Sequence, residues 1–69
     1  MEIISVKRDQ LIVRDLAHTY RAAVATVVDQ GETFTFRISE AFIQLVADPD
    51  SFIRGECEAL LYLHRKASQ

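Results

Sequence analysis

Between Val27 and Ile38 the chain reads VVDQGETFTFRI, and from Thr33 to Ile38 polar and apolar side chains alternate. A period of two over that length is the signature of a strand with one wet and one buried face. Just before it, Asp29-Gln30-Gly31 supplies turn chemistry, because Asp can bond nearby backbone and Gly accepts positive φ without a Cβ clash. Just after it, Ser39 is placed to cap a helix. Phe34 and Phe36 then face whatever helices follow. The turn is read as a type I turn with Gly31 as the left-handed bulge residue of a hairpin.

The segment ahead of that turn, Asp15 to Val28 (DLAHTYRAAVATVV), supports two readings. As a helix, Asp15 caps it, and Leu16, Tyr20, Ala23, Val24 and Val27 follow helical spacing. As a strand, Tyr20, Ala22, Val24, Thr26 and Val28 share a face. Val24, Thr26, Val27 and Val28 make four β-branched side chains in the five positions 24–28, which favours strand from about Tyr20. Asp15 to Thr19 then becomes a connection. Further upstream, Glu2–Val6 (EIISV) and Leu11–Arg14 (LIVR) flank the polar Lys7-Arg8-Asp9-Gln10. That arrangement predicts an N-terminal hairpin of two short strands around a tight reversal.

Beyond Ser39 the apolar period changes to about 3.6. Phe42, Ile43, Leu45 and Val46 predict a short helix to about Ala47. Asp48-Pro49-Asp50 ends it and starts another, with Asp48 as cap and Pro49 at the first helical position. The second helix runs to about Ala67, with Asp50, Glu56 and Glu58 toward its start and His64, Arg65 and Lys66 at its end, a polarity that complements the helix dipole. Its core stripe is Ile53, Cys57, Leu60, Leu61 and His64. The fold class expected is therefore α+β: a small antiparallel sheet, made of the N-terminal hairpin plus a second hairpin around Gly31, followed by two C-terminal helices packed on one face. Residues 1–69 form one domain.

Little in this chain points to catalysis. Cys57 and His64 lie two helical turns apart, roughly 10 Å along the axis, too far to share one ion. Cys57 is the only cysteine, so it can complete neither a zinc site nor an intrachain disulfide. It reads as a core residue, and a reducing cytoplasm is the compartment expected. Ser39, His18, His64 and Cys57 supply nucleophile and base on paper, but no glycine-rich elbow or enclosed pocket is announced to hold them together. Two glycines, Gly31 and Gly55, are too few for a phosphate-cradling loop. Neither an enzyme nor a cofactor or metal is expected. Phe34, Phe36, Arg37 and Tyr20 together resemble a base-stacking platform, but burying the phenylalanines is what so small a core most needs.

What remains is surface. A core of this size leaves roughly 3–5 kcal/mol of stability, and association is the support still open to it. Ile3, Ile12, Phe52, Tyr62 and Leu63 exceed what one such core covers, and Gly55, inside a helix, makes room for another backbone to approach. The expected role is a small cytoplasmic adaptor, subunit or inhibitor that docks on another protein, as a homodimer. The alternative is a nucleic-acid-associated regulator using Lys7, Arg8, Arg65 and Lys66. Ten acids against eight bases and a net charge of −2 weigh against it. No apolar run is long enough for a membrane span, and no secretory leader is read at the N-terminus.

Overall fold

The computed structural model describes residues 1–68. Its elements run β1 (Glu2–Asp15), β2 (His18–Asp29), β3 (Glu32–Ser39), α1 (Glu40–Ile43) and α2 (Pro49–Ala67). The strands form one antiparallel sheet in the order β1-β2-β3, so sequence neighbours are also sheet neighbours. The chain is thus an α+β protein with a three-stranded antiparallel sheet followed by helices.

The N-terminal segment departs from expectation. Glu2–Val6 and Leu11–Arg14 do not fold back on each other; they belong to one 14-residue strand. The polar Lys7–Gln10 stretch is a bulge rather than a reversal: the register slips between Lys7 and Gln10, with further slips between Ile3 and Ser5 and between Val13 and Asp15. Asp9 takes the left-handed φ of 54° that lets the strand absorb the one extra residue there and continue. Polar composition cannot separate a bulge from a turn, because both need residues that tolerate departures from extended backbone.

The segment read two ways is strand from His18, where pairing begins instead of at Tyr20. The connection is only Leu16-Ala17, tightened by Asp15 Oδ1, which accepts from the Ala17 N–H at 2.9 Å and touches His18 Nδ1 at 2.7 Å. Both β1–β2 and β2–β3 therefore turn over two residues. At the second turn Gln30 and Gly31 both have positive φ, 52° and 77°, with Asp29 paired to Glu32. That is the mirror-image two-residue turn, whose twist matches the strands it joins, and not a type I turn with a bulge.

Ser39 precedes α1 but makes no side-chain capping bond, and α1 ends after four residues at Ile43, well short of Ala47. Asp48 does cap α2: its carboxylate accepts from the Ser51 N–H at 3.2 Å and the Ser51 hydroxyl at 2.8 Å, with Pro49 opening the helix.

The core joins Ala23, Ala25 and Val27 of β2 and Ile38 of β3 to Ile43, Ile53 and Cys57. Ile3, Phe34, Phe36 and Phe52 pack against this cluster while half-buried. Alanines in the central strand let the helical side chains approach closely. β3 stops at Ser39, opposite Ala22, whereas β1 and β2 continue to Asp15 and His18. The last stretch of the β1–β2 hairpin is therefore a two-stranded ribbon projecting past the third strand.

Candidate functional site

Four cations were marked for nucleic-acid contact, and the fold treats them unequally. Arg8 grips Glu40, its Nε donating to both carboxylate oxygens at 3.0 Å and its Nη2 to Oε1 at 2.7 Å. The Asp9 N–H, freed by the bulge, donates to the same carboxylate at 3.1 Å. Glu40 is the buried charged residue of the described chain, 6% exposed. The Arg8 hydrogen bond holds its carboxyl below the usual range against the opposing pull of burial, with the Asp9 N–H assisting. Arg65 is committed as well. Its Nε and Nη2 donate to Asp29 Oδ2 at 3.2 and 2.9 Å and its Nη1 to Glu32 Oε1 at 3.3 Å, while its guanidinium lies 5.6 Å from the Phe34 ring centroid. Asp29 is held low in pKa first by the chain's amino group at 3.1 Å and also by Arg65. Lys66 lies over the Tyr62 ring at 5.9 Å, and Lys7 is exposed on β1. Two of the four cations are thus engaged in ion pairs that tie elements together.

The thiol and imidazoles are not assembled into one centre. Cys57 is fully buried in the core cluster, and burial, then the neighbouring charges of Glu56 and Glu58, pushes its thiol pKa up. His64 packs edge-on against Phe34 with centroids 5.1 Å apart, whereas His18 sits with Asp15 at the ribbon tip. Among the described residues no group of three or more metal-ligating side chains is gathered, and no helix is long and apolar enough to cross a membrane.

The residues proposed from sequence as an interaction surface fall into two sets. Tyr62 and Leu63, adjacent on α2, are 64% and 58% exposed. Gly55 is exposed on the same helix, with nothing within 4 Å of where a Cβ would stand. Ile12, in contrast, is 8% exposed, and Ile3 and Phe52 lean on the core, so these three do not add free apolar surface. Along β1 the apolar side chains that stand exposed are Ile4, Val6, Leu11 and Val13.

Other apolar surface was missed. Leu11 and Val13 are exposed on the ribbon, and Leu16 at its tip is fully so, at 104% of its reference area. Phe42 and Leu45 are exposed at and after α1. Leu16 falls where the sequence predicts a bare connection, and Phe42 and Leu45 belong to a predicted helix that proves too short to bury them. A hollow of about 550 Å³ opens beside the end of β3, lined by Tyr20, Arg37, Ile38, Ser39, Phe42, Phe52, Glu56 and Leu60. A more polar one of about 390 Å³ lies among Gln30, Glu32, His64, Arg65 and Ser68. The first combines aromatic walls with a strand end; in the second the Ser68 hydroxyl donates to the His64 backbone carbonyl at 3.0 Å. Comparison with protein-family models, with curated proteins and with solved structures finds no match to this chain.

Proposed function

We propose that this chain is a non-enzymatic docking protein, an adaptor, subunit or inhibitor that works by laying an apolar surface against another protein, and that it does so as a homodimer. The observation that carries the reading is the placement of its large apolar side chains. Leu11, Val13 and Leu16 sit on the projecting ribbon, Phe42 and Leu45 on the α1 corner, and Tyr62 and Leu63 on α2, all more than half exposed. Single exposed apolar residues are ordinary, but groups on elements that protrude from a small core mark contact surfaces. Taking the helices as the cover of one sheet face, the opposite face offers half-buried Val24, Thr26 and Val28 to a partner as well. The engagement of Arg8 and Arg65 in ion pairs supports protein docking over the nucleic-acid reading.

Absolute molar mass by light scattering, over a range of loading concentrations, tests the self-association. The expected result is a dimer mass at micromolar protein, shifted toward monomer by Leu63→Ala with the fold intact. Phe52→Ala is a poorer probe, since Phe52 also packs on the core. Monomer mass throughout would remove the homodimer. An unchanged association constant in Leu63→Ala would remove α2 from the contact.

A further inference from the structure

We infer that the second copy docks on the free edge of β3, continuing the sheet through a two-fold axis that sets Thr35 opposite Thr35 of the other copy. This rests on the self-association proposed above and says where it occurs.

The two edges of the sheet differ in kind. β1 is interrupted by three register slips, the device by which natural edges avoid pairing. β3 has a hydrogen-bonded neighbour on one side only and runs without a slip from Glu32 to Ser39. In a two-residue hairpin the pair next to the turn, here Asp29 and Glu32, is the closely spaced hydrogen-bonded one, and the pattern then alternates. Glu32, Phe34, Phe36 and Ile38 therefore spend their backbone groups on β2. Thr33, Thr35 and Arg37 aim theirs outward, unpaired.

Symmetry then limits the registers. A two-fold perpendicular to an antiparallel pair sets some residue opposite its own copy. Centring on Arg37 opposes two guanidinium groups. Centring on Phe36 brings Glu32 against Glu40. Centring on Phe34 leaves the end of the strand unpaired. Centring on Thr35 pairs the strand from Glu32 to Ile38 and opposes no like charges. It sets Phe34 against Phe36 of the second copy on the helix side, and Thr33 against Arg37 on the other. Aromatic pairs and threonine pairs are among the cross-strand combinations that stabilise a sheet. Phe34 and Phe36 already stack in parallel at 6.0 Å and are only half-buried, so the second copy would finish covering them. The same register puts the Gln30-Gly31 turn of the second copy beside Ser39, at the mouth of the hollow walled by Phe42 and Phe52.

Two variants and a mass measurement decide it. In the hydrogen-bonded pair the facing Cα atoms stand about 5.5 Å apart, within the range a disulfide spans. Thr35→Cys is expected to form a covalent dimer under mild oxidation, with wild type, whose Cys57 is buried, as the background. Thr35→Pro removes an outward N–H and blocks the ladder at an edge position where proline is tolerated. It is expected to weaken association roughly thirtyfold or more while far-ultraviolet circular dichroism stays unchanged. Monomer mass for wild type at all concentrations overturns both this inference and the self-association it rests on. A wild-type dimer with no Thr35→Cys cross-link, and with Thr35→Pro still dimeric, overturns the β3 edge alone. If Thr35→Pro fails to fold, the cross-link by itself settles the matter in either direction.

Discussion

Glu40 owes its buried carboxylate to a bulge in a strand more than thirty residues away: without the left-handed Asp9, neither the Asp9 N–H nor Arg8 would meet it. Its pKa is lowered in the fold, so the stability it contributes is complete above the unfolded-chain value, about 4.3, and is lost as pH falls through the lower folded value. Glu40→Gln should cost about 1–2 kcal/mol at neutral pH. In paired urea titrations the gap to wild type should narrow as pH falls below the usual carboxylate range; a constant gap would mean that the ionised form is not what matters. Gly31 is a second residue-scale case. A Cβ there meets nothing within 4 Å, so any penalty comes from its φ of 77° alone. Gly31→Ala should cost about 1 kcal/mol or more, whereas Gln30→Asn, which favours the same backbone, should raise the melting temperature. Neither the bulge nor the Glu40 site was legible in the sequence: Lys7-Arg8-Asp9-Gln10 looks alike whether the chain reverses or merely kinks, and the Glu40 partner lies 32 residues from Arg8.

At the scale of elements, legibility followed the distance over which each signal acts. The β3 alternation, the Asp48-Pro49 start of α2 and the length of that helix are written in neighbouring residues, and each could be read directly. β2 was readable through its β-branched run, although its start moved to His18 because the turn before it needs only Leu16-Ala17. α1 was overestimated because Leu45 and Val46 fit a helical period, yet the chain leaves the helix after Ile43 to reach the Asp48 cap. The surface groups were partly legible: Tyr62 and Leu63 came from a surplus on the α2 wheel, while Leu16 and Leu45 depend on how far a ribbon projects and where a helix stops. Gly55 carries a clean test at this scale. If α2 presents that face to solvent, Gly55→Ala should stabilise by about 0.5–1 kcal/mol, read as a higher thermal midpoint at unchanged molar mass. A lower midpoint accompanied by loss of dimer would place another backbone against position 55.

For the whole molecule, the sheet and the helices meet in one cluster of small and branched side chains, and Cys57 belongs to it with no exposure. The thiol should resist an aromatic disulfide reagent in the native state and react only as the protein opens. Its labelling rate in mild denaturant should rise in step with the loss of circular dichroism, and fast labelling without unfolding would show that α2 lifts by itself. The arrangement of the strands also bears on the order in which the chain folds. Every sheet neighbour is a sequence neighbour across a two-residue turn, so the sheet forms through short loop closures. The Arg8–Glu40 and Arg65–Asp29 pairs, spanning 32 and 36 residues, are long-range ties that join the helices to a sheet that can precede them. Where the sheet forms first, those two arginines act as latches on the docking step that follows. Replacing either should leave the folding rate nearly unchanged and speed unfolding, which stopped-flow mixing would read as a change confined to the unfolding limb.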